Sequence, residues 1–451
     1  MGRLFGTDGV RGVANSELTA ALAYRLGQAG AHVLSQNKKE RPRFLIGMDT
    51  RISGDMLENS IASGILSVGG DVVKVGVLPT PAIAFLVKHY NADAGVVISA
   101  SHNPYEYNGI KFFNGDGFKL DDTIEEQIED IILMHQDVHS EVTHDKIGKC
   151  LEADDNALEM YVDFLASTVD YDLKGRKIVL DCANGAAYKV AEKVYERLGA
   201  NVVIIGNQPN GININDGCGS TDTKKLQETV VSEGAFVGLA FDGDADRLIA
   251  VDELGRIIDG DKIMCICAKM LKEEGELGND IVTGTVMSNI GFHKYLENIG
   301  CTTRATNVGD RYVLEDMLQT GSVLGGEQSG HMIFLNHTTT GDGVLSSLQV
   351  VRAIIRSGEK ASVMSDSIKI YPQVLKNALV KNENKKTYMN NEEVAKEIEK
   401  LELILEEKGG RLLIRPSGTE PLVRVMIEGE DIEDITRLAE EMAVILTKKL
   451  G

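Results

Sequence analysis

Apolar positions along the chain follow one recurring order. A short continuous run of branched residues is followed by a longer stretch with apolar residues at helical spacing, then glycine, then another short run. The spacing predicts a helix over 19–34, a strand over 43–48, a helix over 53–68, Gly69-Gly70, and a strand over 71–77. The second helix opens at Ser53 or in the Arg-Ile turn before it. The same order returns as a strand over 177–181, a helix over 186–198, Gly199 and a strand over 201–205. It returns again at 280–284, 288–299, Gly300 and 302–306. Units beginning near residues 44, 178 and 281 imply three α/β domains on one plan. Right-handed βαβ crossovers would place their loops at the carboxyl ends of the strands, facing one cleft.

The remainder breaks this rhythm. Residues 121–159 hold 13 acidic residues against two lysines, Lys146 and Lys149, and read as a solvated helical face plus a connector. Connectors are also expected near 252–261, 365–372 and 381–391. The last segment predicts a charged helix over 392–401, strands over 410–414 and 422–427, and a long helix over 432–450. The expected fold is α/β. Three similar α/β domains with mixed sheets and βαβ units span 1–155, 156–255 and 256–368. A C-terminal α+β domain with an antiparallel pair spans 369–451, and all four surround a central cleft.

Composition narrows the class. The 451 residues are 43% hydrophobic and 25% charged, enough for several cores. The net charge of −21 argues against nucleic acid or an anionic membrane as partner, and no apolar run reaches a membrane span. Cysteines 150, 182, 218, 265, 267 and 301 form no C-x-x-C pair, so neither a zinc site nor a disulfide framework is expected. The N-terminus lacks a hydrophobic signal core, so a reduced, cytoplasmic protein is expected.

Four loops carry chemistry. An apolar run over 93–99 ends in Ala100-Ser101-His102-Asn103-Pro104, followed by Asn108-Gly109-Ile110-Lys111. This presents Ser101 as a nucleophile at the edge of a rigid sheet, with His102 and Lys111 as proton handlers. Asp242-Gly243-Asp244-Ala245-Asp246-Arg247 sets three carboxylates at alternating positions, a spacing that suits a hard cation. An EF-hand is excluded, because Arg247 stands where its glycine belongs and the flanks read as strands. Gly326-Glu327-Gln328-Ser329-Gly330-His331 offers a carboxylate, a hydroxyl and an imidazole to sugar hydroxyls. Arg415-Pro416-Ser417-Gly418-Thr419-Glu420-Pro421, with Arg424 beyond, reads as an anion cradle of backbone N–H groups, hydroxyls and arginines. Together they compose phosphoryl transfer on a phosphorylated sugar. A Ser101-His102 hydrolase fits less well, since no G-x-S-x-G elbow is present. A catalytically silent phosphosugar-binding protein would not need every one of these groups intact.

These four motifs, in this order and along the full chain, resemble the α-D-phosphohexomutase superfamily. The opening Gly6-Thr7-Asp8-Gly9-Val10-Arg11-Gly12, the Val-Ile-Ser lead into Ala100, and Gln328 resemble its bacterial members that act on an amino-sugar phosphate. The resemblance implies interconversion of glucosamine 6-phosphate and glucosamine 1-phosphate on the route to UDP-N-acetylglucosamine. Glucose or mannose phosphate mutase activity is the alternative. Ser101 is then carried as phosphoserine, and Ser101, Asp242, Asp244 and Asp246 hold one Mg²⁺ per chain. A glucosamine 1,6-bisphosphate serves as intermediate and activator. Glu327 and Ser329 contact the sugar, while Arg415, Ser417, Gly418, Thr419 and Arg424 hold the non-reacting phosphate. Thr7 and Arg11 join the substrate-binding set. Arg247 offsets phosphoryl charge, and Lys111 ranks before His331 as general base, with His102 a positioning group. The phosphosugar is the expected partner, and a homodimer is compatible with this reading. Gly219-Ser220-Thr221-Asp222 departs from the histidine many relatives carry at its last position.

Overall fold

The computed structural model describes residues 4–6, 8–36, 41–138, 142–151, 153, 156–417 and 420–451. The chain forms two compact units, one of residues 1–285 and 301–367, the other of residues 286–300 and 368–451.

The first unit holds three sheets. The first sheet contains β1 (Val10–Val13), β2 (Arg43–Met48), β3 (Asp71–Val77), β4 (Ala94–Ile98), β5 (Tyr107–Asn114) and β6 (Cys150–Leu151), in the order β1-β5-β4-β2-β3-β6. Its helices are α1 (Ala20–Leu34), α2 (Gly54–Ser67), α3 (Thr80–His89) and α4 (Asp122–Leu133). The Thr19 hydroxyl caps α1 by accepting from Leu22 N at 3.1 Å. Ser53 precedes α2 without capping it, and its hydroxyl accepts instead from Asn108 Nδ2 at 2.8 Å. The β4 residues are all buried, which is why this strand reads as an unbroken apolar run. It lies inside the sheet, between β2 and β5, rather than at the expected edge.

The second sheet, β11-β10-β9-β7-β8, follows α5 (Ala157–Ser167). It contains β7 (Lys177–Asp181), α6 (Ala187–Arg197), β8 (Asn201–Ile205), α7 (Lys224–Glu233), β9 (Val237–Phe241), β10 (Leu248–Val251) and β11 (Ile257–Ile258), with α8 (Gly260–Glu273) after it. The third sheet, β13-β12-β14-β15, is built from β12 (Ile281–Thr285), α9 (Ile290–Asn298), β13 (Thr302–Thr306), α10 (Asp310–Thr320), β14 (Leu324–Gly326) and β15 (Met332–Phe334). It precedes α11 (Gly343–Ser357) and α12 (Ala361–Asp366). The three strand pairs β2/β3, β7/β8 and β12/β13 are parallel, as the repeated pattern requires.

One feature of that plan differs from the expectation. The chemistry-bearing loops leave the carboxyl ends of parallel strands but do not lead into crossover helices. Each joins an antiparallel pair: β4 to β5, β9 to β10, and β14 to β15. A short connection between two laddered strands holds its side chains more rigidly than a strand-to-helix loop of similar length.

The stretch 121–159 is also less solvated than its charge suggests. Ile128, Ile131 and Ile132 of α4 pack into the core, and the buried Glu129 carboxylate accepts from Leu4 N and Phe5 N at 2.6 and 2.7 Å. Its end supplies β6 to the first sheet.

The second unit contains α9 and a three-stranded antiparallel sheet, where a pair was expected. The added strand is β16 (Gln373–Leu379), which pairs along its whole length with β18 (Leu422–Glu428); β17 (Arg411–Pro416) pairs with the other side of β18. Helices α13 (Glu392–Glu407) and α14 (Ile432–Leu450) contribute Ile398, Leu401, Leu438 and Met442 to its core. β16 escapes sequence reading because polarity does not follow burial on this edge strand: Leu375 and Leu379 are exposed while Lys376 is half-buried.

Candidate active site

Ser101 begins the turn between β4 and β5. It is 1% exposed and has φ +52°, a left-handed conformation that costs an L-residue about 1–2 kcal/mol. Strain of this kind persists where the surroundings over-determine the backbone. The Ser101 amide donates to Ser99 Oγ at 2.9 Å, and its hydroxyl donates to Asp242 Oδ2 at 2.6 Å. The serine hydroxyl of the first sheet therefore rests on the first aspartate of the second.

Asp242, Asp244 and Asp246 converge as the alternating spacing predicts, with one oxygen from each within 4.8 Å of the others. All three are buried. Asp242 Oδ1 accepts from Arg247 N at 3.1 Å; Asp244 Oδ2 accepts from the Thr80 hydroxyl at 2.7 Å and Lys111 Nζ at 2.9 Å. The other oxygens, Asp244 Oδ1 and Asp246 Oδ1, are buried with no hydrogen-bond partner. Burial and the neighbouring carboxylates push Asp242 well above the usual carboxylate range. Burial also raises Asp246. Burial acts on Asp244 the same way but is outweighed by the Lys111 ammonium and the Thr80 hydroxyl, so Asp244 lies below its ordinary value. Three close carboxylates with orphaned oxygens form a donor set for a hard divalent cation.

Cations and imidazoles surround this cluster. Lys111 is 2% exposed, and its ammonium sits 2.9 Å from both Asp244 Oδ2 and Asp8 Oδ2. Burial alone would favour the neutral amine, but these carboxylates overcome it and hold Lys111 protonated. A protonated amine has no lone pair with which to accept a proton. Lys119 continues the chain, pairing with Asp8 at 2.7 Å and with Asp310. His331 Nε2 lies 3.7 Å from Asp310 and 3.9 Å from Asp246, and neither ring nitrogen has a hydrogen-bond partner. His102 Nδ1 is 3.4 Å from Ser101 Oγ; burial, with Arg247 and Arg11 nearby, lowers it to about 4, so it is neutral at physiological pH. Arg247 lies 3.9 Å from Asp246, and Arg11 pairs with Asp8. Both guanidinium Nε atoms are buried without a partner.

The β14–β15 turn meets the metal loop through backbone: Arg247 bridges His331, and Leu248 N donates to Gly330 O at 3.0 Å. Glu327 Oε1 accepts from Gly309 N at 3.0 Å, and Ser329 is exposed. Gln328 Nε2 donates to Asp259 Oδ2 at 3.2 Å, beside the Asp259 cap of α8. Its amide is thus engaged in supporting the loop. Thr7, Gly418 and Thr419 lie outside the described residues.

In the second unit, Arg415 and Arg424 stand directly opposite each other across β17 and β18. Like charges in that position destabilise a sheet, and both Nε atoms are buried without a partner. Burial and Arg424 together lower Arg415. Ser417 is buried beside them, its hydroxyl accepting from Glu420 N at 3.2 Å. The two facing guanidinium groups, with Arg424 also 3.6 Å from Glu420, keep Nε donors of the kind that suits a dianion.

The spacing of apolar and acidic residues singles out Ser101 and the aspartates, which the structure brings together. Asp8, Arg51, Thr80, Lys119, Asn215 and Asp310 reach the same place from other elements. Of these, Asp8 lies in the opening glycine-punctuated motif and Arg51 in the turn before the second helix; the others carry no local signal.

Family models for phosphoglucomutase/phosphomannomutase match the chain in order. Alpha/beta/alpha domains I, II and III match residues 2–138, 159–255 and 259–371, and the C-terminal domain matches residues 375–445. The chain is 54% identical over 451 residues to the phosphoglucosamine mutase of Acetivibrio thermocellus, covering all of both chains. It is 55% identical over 449 residues to that of Clostridium acetobutylicum, again covering all of both. The chain belongs to this family, with the phosphoglucosamine mutases. A phosphoglucomutase/phosphomannomutase family protein from Burkholderia thailandensis shares the fold, with a TM-score of 0.80 and 23% identity over 99% of this chain and 98% of that one. The Aspergillus fumigatus N-acetylphosphoglucosamine mutase, solved with GlcNAc-6P and magnesium, shares it with a TM-score of 0.67 and 18% identity over 99% and 96%. Among the described residues, no helix of this family member is long and apolar enough to cross a membrane.

Proposed function

We propose that this chain interconverts glucosamine 6-phosphate and glucosamine 1-phosphate by way of a phosphoserine at Ser101. The observation that carries this reading is the Ser101 hydroxyl, held on a left-handed turn against Asp242, beside two further buried aspartates that each keep an unpartnered oxygen. The choice of sugar draws on similarity to full-length relatives named phosphoglucosamine mutase. The domain division at 155, 255 and 368 and a cytoplasmic setting, upstream of UDP-N-acetylglucosamine, belong to the same proposal.

In the first half-reaction the bond between phosphorus and Ser101 Oγ breaks, and a bond from phosphorus to the sugar 1-oxygen forms. The 1-hydroxyl loses its proton and Ser101 Oγ gains one. The glucosamine 1,6-bisphosphate turns over in the site, and Ser101 recovers a phosphoryl group from the 6-position. Asp242, Asp244 and Asp246, with a phosphoserine oxygen, would hold one Mg²⁺, which when bound supplies Lewis-acid stabilisation of phosphoryl charge. Arg247 and the Lys111 ammonium add positive charge beside the serine, which phosphorylation makes more negative by about 1.5 to 2 charges. His331, with both ring nitrogens unpartnered, replaces Lys111 as preferred general base, and neutral His102 orients the serine hydroxyl. Arg11, Glu327 and Ser329 bind the sugar end, together with Thr7. Arg415, Ser417, Gly418, Thr419 and Arg424 anchor the phosphate that is not transferred.

A second reading keeps the mechanism and changes the sugar to glucose or mannose. It draws on the family models, which name phosphoglucomutase and phosphomannomutase. The test is turnover of the Ser101-phosphorylated protein with Mg²⁺ on glucosamine, N-acetylglucosamine, glucose and mannose 6-phosphates. Highest kcat/KM on glucosamine 6-phosphate is expected; preference for another sugar sinks the first reading, and full activity in Ser101→Ala sinks both.

A further inference from the structure

Arg51 sits in the loop between β2 and α2, 3% exposed, and uses every N–H of its guanidinium. Nε donates to Asp49 Oδ2 at 2.9 Å. Nη1 donates to Pro104 O at 2.5 Å and Tyr107 O at 3.1 Å; Nη2 donates to Ser101 O at 2.9 Å and Asn103 O at 2.7 Å. Asp49 completes the brace by accepting from the Ser99 hydroxyl at 2.5 Å, the same hydroxyl that accepts from Ser101 N. The whole turn from Ser101 to Tyr107 thus hangs on one planar cation.

A second side chain reaches the same atoms from the second sheet. Asn215 lies in the β8–α7 connection at φ +59°, and its backbone N is tied to Ala183 O at 2.9 Å. Its Nδ2 donates to Ser101 O at 2.9 Å and Asn103 O at 3.1 Å. The Ser101 carbonyl also presses on the metal loop, for a side chain at Gly243 would bring its Cβ within 2.5 Å of that oxygen. Two donors from different sheets therefore converge on the nucleophile's own peptide, one on the scaffold of β4 and one on the scaffold of Asp242.

We propose that Arg51 and Asn215 are positioning residues that lock Ser101 in its left-handed conformation and hold its oxygen in register with the aspartate cluster. The inference rests on the Ser101 chemistry proposed above. Neither side chain is assigned contact with sugar or metal, so their loss acts on the transfer step rather than on binding.

Asn215→Gly removes the side chain while tolerating the positive φ, and Arg51→Lys keeps the charge beside Asp49 but loses the fork. Misplacement of a reacting group by about 1 Å costs roughly 100-fold. Asn215→Gly is expected to lower kcat by about that factor, with KM and the Mg²⁺ dissociation constant of the unphosphorylated protein, where the ion rests on the three aspartates, within about threefold of wild type. Amide exchange should accelerate over residues 101–107 and not elsewhere. Unchanged kcat, or unchanged exchange in that segment, overturns the proposal; so does a kcat loss matched by weakened Mg²⁺ binding to the unphosphorylated protein. If Arg51→Lys fails to fold, Asn215→Gly decides alone. A wild-type protein without mutase turnover defeats the reading of the previous section instead, and the exchange measurement still judges the clamp.

Discussion

At the scale of single residues, the site depends on backbone shapes that few side chains allow. Ser101 and Ala245 both adopt positive φ, one at the nucleophile and one inside the aspartate loop. His331 is held by the absence of a side chain, since a Cβ on Gly341 would lie 2.3 Å from His331 Nε2. Gly341→Ala is therefore expected to displace the imidazole and lower kcat by about 10²–10⁴-fold, the range for loss of a general base. Melting scans beside the kinetics separate this from unfolding. Glu125 offers a test by pH. Burial in α4, only partly offset by Arg311, raises it to about 7. The folded state then binds a proton that the unfolded chain releases near 4.5, so this group's contribution to stability is present below that pH and lost as pH rises to 7. Glu125→Gln should raise Tm at pH 8 and leave it nearly unchanged at pH 4. A Tm gain independent of pH would refute the assignment.

At the scale of elements, close backbone contact sets the scaffold. Helices α1 and α2 meet through glycine: a Cβ on Gly27 would lie 2.3 Å from Ile61 O, and one on Gly64 would lie 2.1 Å from Tyr24 O. No side chain can yield there, because the obstructing atoms are backbone. Gly64→Ala should therefore destabilise by about 1–3 kcal/mol, as overpacking does, and lower the urea midpoint of unfolding. The recurrent hairpin has the opposite role, since it turns a stable ladder into a platform for reactive groups. β4–β5, β9–β10 and β14–β15 each present one of the candidate loops at the same place in the sheet plan.

At the scale of the whole molecule, charge is concentrated where it is least comfortable. The three buried aspartates are incompletely neutralised by Lys111 and Arg247. A cation that binds only the folded state adds RT ln(1 + [L]/Kd), about 2.7 kcal/mol at 100 times Kd. Mg²⁺ should accordingly raise Tm in wild type and much less in Asp246→Asn; an equal rise in both would remove the metal assignment. In the second unit, Arg424→Ala should raise KM for the phosphosugar by about tenfold or more, as expected for loss of a charged contact, while leaving the Mg²⁺-induced rise in Tm intact.

The chemistry-bearing groups most legible in the sequence are those whose function needs several residues at short fixed spacing. Ser101-His102-Asn103-Pro104 and the Asp242, Asp244, Asp246 alternation are of this kind, because one loop must deliver them together. Periodicity likewise located the three strand–helix–strand units, since continuous apolar runs and helical spacing are imposed by burial itself. What it could not locate were partners brought from distant elements. Asp8, Lys119 and Asp310 are joined by ion pairs across long sequence separations, and Asn215 reaches Ser101 over 114 residues. Nor could it give the protonation of Lys111, which depends on Asp8 and Asp244 and not on its own neighbours in the chain. The sequence alone determined the modular α/β plan and the reactive loops, both written in local spacing. Tertiary structure alone decided which charges face one another, and electrostatic energy depends on distances in space that no local pattern encodes.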